Sequence, residues 1–191
     1  MKTRDKLIDI ARQLFAHKGI ENTTINDIAQ AADKGRRTVY TYFKNKKELY
    51  NAVVESESDK VLKKLKEIVE LPITPDQKLM EFIFQRFEAV KDIVYRNGSL
   101  RAGFFRDVRR VERARKSTHN QELSLLIRIL QQGVDEGVFR IKHVDKTAMV
   151  MLLSLQGLDV PYIRDNFAEL GIEKNKLRDY LYDFILYGIK Q

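Results

Sequence analysis

Cysteine is absent from this 191-residue chain, so neither a disulfide framework nor a thiolate metal site can form. That absence is compatible with a reducing cytoplasm, the expected location. No apolar run reaches the roughly 20 residues needed to span a bilayer. The most apolar stretch, 148–163, is interrupted by Gln156, Asp159 and Pro161. The opening MKTRDKLIDIARQLFAHKG carries charge in every turn and lacks the apolar segment of a secretory signal. Neither a membrane partner nor a leader is expected. Alternation of period two long enough for a strand is missing, and prolines are few: Pro72, Pro75 and Pro161. The histidines, His17, His119 and His143, fall on different predicted elements without metal-ligand spacing. A glycine-rich phosphate loop and a nucleophile elbow are also missing. The expectation is a chain that is no enzyme and holds neither metal nor cofactor.

What is present is apolar surface and positive charge. A hydrophobic fraction of 43% in a chain of this length allows a substantial core and excludes wholesale disorder. The formal net charge is +8, unevenly spread. Residues 1–50 hold 11 Lys or Arg against 6 Asp or Glu, and residues 101–119 hold seven against two. Each segment has an excess of five, so the remainder is slightly acidic. Concentrated basic charge points to polyanions, either nucleic acid or anionic lipid.

The periodicity is helical. Leu7, Ile8, Ala11, Leu14 and Phe15 form one stripe. Helix starts are legible in the capping residues. Thr24-Ile25-Asn26-Asp27 and Asn45-Lys46-Lys47-Glu48 each put an oxygen acceptor three positions before a carboxylate. Thr74-Pro75-Asp76-Gln77 puts proline at the first helical position, where its missing N–H costs nothing. Further starts lie at Thr118 and Asp145. The pattern predicts about nine helices, near 3–18, 25–32, 36–43, 46–70, 75–96, 100–115, 118–136, 145–165 and 174–188. Short helices come first and long ones follow. The expected fold is all-α, a three-helix head in residues 1–47 and a helical body in 48–191.

Residues 25–43 carry the chemistry. Ile25, Ile28, Ala29 and Ala32 form the inner face of one short helix, and Val39 and Phe43 that of the next. The break at Asp33-Lys34-Gly35 gives the spacing of a helix-turn-helix, whose second helix can enter the major groove. On that helix Arg37, Thr38 and Thr41 fall opposite Val39 and Phe43. Arginine can grip guanine O6 and N7 with two donors, and threonine can bond a base edge or touch a thymine methyl. Tyr40, Tyr42, Lys44 and Lys46 flank this face and suit phosphate contacts. The helix start after Thr24 offers free N–H groups to a further phosphate. An arbitrary basic, aromatic helix is more often a solvated face. Turn spacing, caps and a family resemblance together argue otherwise here.

The strings Thr23-Thr24-Ile25-Asn26-Asp27-Ile28-Ala29 and Thr38-Val39-Tyr40-Thr41-Tyr42-Phe43-Lys44-Asn45-Lys46, with Leu49, resemble the signature of the TetR family of transcriptional regulators. The likeness covers roughly the first 50 residues. It implies that Arg36, Arg37, Thr38, Thr41 and Tyr42 approach bases, and that Thr24, Tyr40 and Lys46 meet phosphates. It also implies a homodimer on a palindromic site of double-stranded DNA, and a repressor released by a small-molecule effector. The turn departs from the family. Ala32-Asp33-Lys34-Gly35 stands where Ala-Gly-Val-Ser is usual, which puts Asp in a left-handed position that glycine suits better.

The body is read more coarsely. Residues 75–96 are apolar around much of the helix, which predicts a central position. Phe82, Phe87, Phe104, Phe105 and Met149 are candidate pocket residues, although such a stripe is more often ordinary core. Arg106, Arg109, Arg110 and Arg113 form a basic stripe, either a solvated face or a second nucleic-acid surface. The two last long helices carry Leu152, Leu153 and Val160, then Leu177, Tyr180, Leu181 and Phe184, the expected dimer interface. The effector-released repressor has three rivals. An architectural or division-linked DNA binder would share the same head. An enzyme lacks any supporting motif, and a lipid-surface protein would need apolar residues that the core already uses.

Overall fold

The computed structural model describes residues 2–96, 116–173 and 176–189. Among them the architecture is all helical. α1 is Thr3–Lys18, α2 Ile25–Ala31, α3 Arg36–Tyr42, α4 Lys46–Val69 and α5 Pro75–Arg96. α6 is Lys116–Asp135, α7 Val144–Arg164 and α8 Leu177–Ile189, with a 3-10 turn at Phe167–Leu170. Eight α-helices thus answer to the expected nine. The predicted helix at 100–115 lies outside the described residues. The 3-10 turn has no periodic signal in four residues and was not anticipated.

Contacts divide the chain into two compact units, Met1–Lys60 with Asp92–Thr118 and Val61–Lys91 with His119–Gln191. In the first, Leu7, Ile8, Ala11 and Phe15 of α1 are buried together with Ile28, Val39, Phe43, Leu49 and Tyr50. The Phe15 and Tyr50 rings meet edge-on at 6.0 Å. Burying each such side chain fully contributes about 1.5–3 kcal/mol, so a small core can hold three short helices. Of these, α2 and α3 have seven residues each and would not persist alone.

The second unit buries charge. Arg86 of α5 is fully enclosed, its Nε donating to Glu122 of α6 and its two terminal nitrogens to Asp159 of α7 at 2.5 and 3.0 Å. Burial alone would depress the Arg86 pKa. The charges and hydrogen bonds of Asp159 and Glu122 outweigh it and keep the guanidinium protonated. One turn along, Gln156 and His119 lie 3.0 Å apart, which continues the polar contact between α6 and α7. Tyr162 stacks on Phe87 at 4.8 Å and donates its hydroxyl to Glu88. Burial, then Glu88, raises the pKa of that phenol. Asp159 and Pro161, which interrupt the apolar run in the sequence, therefore sit inside α7. Asp159 is buried because Arg86 meets it. Pro161 lies in the last turn, just before the left-handed cap at Asp165.

At the end of α6 the chain folds back sharply. The amides of Val138 and Phe139 both donate to the Gly133 carbonyl, at 2.8 and 2.9 Å. Phe139 then packs where a side chain on residue 133 would be, since a Cβ there would lie 2.1 Å from the ring.

Candidate nucleic-acid interface

The geometry of the head begins at the capping residues. Asp27 N–H donates to Thr24 Oγ1 at 3.1 Å, and Thr24 N–H donates to Asp27 Oδ2 at 2.8 Å. This reciprocal box ends the loop and starts α2. The hydrogen bonds from Thr24 hold the Asp27 carboxyl below the usual carboxylate range. Asn45 and Glu48 do the same for α4. Glu48 N–H donates to Asn45 Oδ1 at 2.9 Å, and the return bond comes from the Lys44 amide at 2.6 Å.

The turn between α2 and α3 closes on Asp33, whose φ of 54° is left-handed. The Lys34 amide reaches back to the Ala29 carbonyl at 2.9 Å, and the Asp33 amide to Gln30 at 3.0 Å. This paired pattern is a Schellman motif. Gly35, by contrast, is extended (φ −71°, ψ 150°) and caps the start of α3. The expected left-handed strain is thus present, and Asp33 carries it.

α3 is anchored by Val39 and Phe43, both buried, with Arg4 over the Phe43 ring at 5.4 Å. The opposite side stands in solvent. Arg36, Arg37, Thr41 and Tyr42 are exposed, Thr38 is half-buried, and Tyr40 is exposed beside them. The Thr41 hydroxyl donates to the Arg37 carbonyl at 3.0 Å, which leaves its lone pairs and methyl facing outward. Of the residues expected to meet phosphate, Thr24 and Lys44 are exposed. Lys46 is half-buried, and its ammonium donates to the carbonyls of Ile20 and Glu21 at 2.7 and 3.3 Å. It ties the start of α4 to the loop before α2, with one donor left. Sequence spacing gave no sign of that tie, which joins residues 26 positions apart.

The body residues are distributed differently. Phe82 and Phe87 are enclosed by protein, whereas Met149 faces outward beside Val150 and Leu153. Phe104, Phe105, Arg106, Arg109, Arg110 and Arg113 lie outside the described residues. Leu152, Leu177 and Leu181 are spent in the chain's own core. Val160 is half-buried, while Leu153, Tyr180 and Phe184 are exposed. Phe184 and Tyr187 are 78% and 85% exposed, a large apolar area for helices this close to a core. Residues missed in the sequence are Arg86 and Glu122, which read as ordinary helical charges. Among the described residues, no helix is long and apolar enough to cross a membrane, and no group of three His, Asp or Glu could hold a metal ion.

Comparison with known proteins agrees with this geometry. The sequence profile of the bacterial regulatory proteins of the tetR family matches residues 7–53. The HTH-type transcriptional repressor KstR2 of Mycolicibacterium smegmatis is 28% identical over 142 residues, which cover 72% of this chain and 67% of that protein. A transcriptional regulator from Cytophaga hutchinsonii superposes with a TM-score of 0.74 at 21% identity, over 98% of each chain. The regulator FadR from Bacillus subtilis, solved in complex with stearoyl-CoA, superposes at 0.70 with 18% identity, over 96% of this chain and 98% of its own. The fold is common to these structures, and the head carries the family's motif. Residues 7–53 carry the helix-turn-helix head of the tetR family of bacterial regulatory proteins, and the chain as a whole is similar to transcriptional regulators of that kind.

Proposed function

We propose that the chain is a repressor that binds a palindromic operator as a homodimer and is released by a small-molecule effector. The observation that carries this reading is the polar side of α3. Its buried anchors, Val39 and Phe43, leave Arg36, Arg37, Thr38, Thr41 and Tyr42 to meet base edges in the major groove. Thr24, Tyr40, Lys44 and the remaining donor of Lys46 meet phosphates, and set register and salt-dependent affinity. Residues 1–47 are the DNA-binding part and 48–191 the part that holds the effector and the second copy. Leu153, Tyr180 and Phe184, exposed on α7 and α8, give that copy an apolar surface to cover.

Selecting bound duplexes from a random pool tests the reading directly. An inverted repeat with half-sites about one helical turn apart, or a multiple, is the expected product. Replacing Arg37 with Ala should then remove about 1–3 kcal/mol of discrimination at one base pair per half-site. Unchanged preference at every position would show that Arg37 does not read bases. A pool that yields no shared sequence would remove the operator altogether.

A further inference from the structure

Lys46 is a cation at the first residue of α4, where the helix dipole disfavours one. Its charge is spent elsewhere. The side chain is half-buried and donates to the carbonyls of Ile20 and Glu21, 26 and 25 positions back, in the loop between α1 and α2. The other side-chain bonds of that loop run back to its own start and to α1. The Thr23 hydroxyl lies 2.7 and 3.3 Å from the Gly19 and Leu14 carbonyls, and the Asn22 amide donates to the Lys18 carbonyl at 3.0 Å. Among the described residues, no other hydrogen bond joins residues 19–24 to α4. Three residues beyond Glu21, Thr24 starts α2 with its capping box. At its far end the helix-turn-helix reaches α4 directly, through residues 43–45. The tie therefore sets where α2 begins relative to α4. The phosphate contacts proposed at Thr24 and Lys44 lie at those two ends.

We propose that Lys46 is a positioning residue for DNA binding. With two of its three donors it holds the α1–α2 loop against α4, and so fixes the spacing between the phosphate contacts at Thr24 and Lys44. This role is additional to the phosphate contact of its third donor. It rests on the reading of the head as the DNA-binding part for its consequence, whereas the tie belongs to the free protein. A loop ordered before the duplex arrives spares binding the cost of ordering it. Loss of the tie therefore weakens binding at every salt concentration. Loss of a phosphate contact weakens it less and less as salt rises.

The full chain is measured first without DNA, by amide exchange read in NMR spectra. Lys46→Met should speed exchange of the Thr23, Thr24 and Asp27 amides roughly tenfold and leave those of α5 unchanged. Lys46→Arg can span both carbonyls and should restore the parent's rates. Lys47→Met removes the same charge one residue along, at an exposed position, and should leave the loop as it was. Binding is then followed against salt, on the duplex recovered by selection and on a random-sequence duplex. Extrapolated to about 1 M salt, where phosphate contacts no longer count, Lys46→Met should still bind the selected duplex roughly tenfold more weakly than the parent. Lys46→Arg should recover that loss. If Lys46→Met unfolds the head, Lys46→Gln, one bond shorter than lysine, takes its place. Parental exchange rates in the variant would overturn the proposal, as would the same acceleration in Lys47→Met. Salt lines that meet at about 1 M, with the slope reduced by about one, would also overturn it and leave Lys46 a phosphate contact only. A selection without any shared sequence would instead remove the operator, and the offset would then be read on the random-sequence duplex. Binding to neither duplex would remove both readings, even with the loop tied as described.

Discussion

The head and the body of this chain are stabilised by interactions of opposite range. In the head, apart from the tie from Lys46 to the loop before α2, the polar contacts that start the helices close over three or four residues: Thr24 with Asp27, Asn45 with Glu48, Lys44 with Glu48. In the body, Arg86 meets partners 36 and 73 positions away. Local contacts of the first kind are exposed and individually weak. The second kind is enclosed, where removing one partner strands a charge without water. A seven-residue helix can therefore be reshaped at its surface with little cost, which is the property a recognition helix needs. The body tolerates far less at its centre.

The largest expected effect tests that asymmetry at its strongest point. Asp159→Ala should destabilise the body by about 3–5 kcal/mol, read from urea unfolding, because Arg86 would keep a buried charge with one carboxylate. Should the loss be smaller than that of a head cap, the contrast between the two regions collapses. Gly133→Ala comes next. Its Cβ would displace the Phe139 ring, with an expected loss of about 1–3 kcal/mol from overpacking. Thr24→Ala should cost about 1 kcal/mol, confined to the head. The same cap has a pH signature. The folded Asp27 carboxyl titrates below its unfolded value, so its contribution is present above the ordinary carboxylate range and is lost as pH falls through the lowered folded value. Asp27→Asn should accordingly show a shallower loss of stability on acidification than the parent. The smallest effect is a gain. Asp33→Gly relieves a left-handed φ but adds chain entropy to the unfolded state, for a net of roughly 0.5 kcal/mol in thermal unfolding. A loss there would mean that the Asp33 side chain contributes more than its backbone costs.

This difference in range also explains what could be read from the sequence. Helix starts at Thr24, Asn45 and Thr74 were legible because acceptor and partner lie within one turn. The outward side of α3 was legible because Val39 and Phe43 are four positions apart and define the inner one. The left-handed turn is legible in Asp33, whereas nothing in the sequence marks the extended Gly35 beside it. Asp159 looked like a break in an apolar run. Nothing within ten residues reveals that α5 supplies Arg86 to neutralise it. For the same reason Leu152 and Leu181 resembled surface apolar residues, although each is buried against other helices of its own chain.

The arginine clasped between Glu122 and Asp159 also constrains how descendants of this chain can change. Apolar side chains of similar volume in all three positions could fill the same space without loss of stability. Each first step toward that state leaves a buried ion short of hydrogen-bond partners, so the intermediates are the least stable members of the path. The triad is therefore an evolutionary ratchet. Lineages that inherit it should keep all three residues or none, and this covariation would appear even where the bound ligand differs.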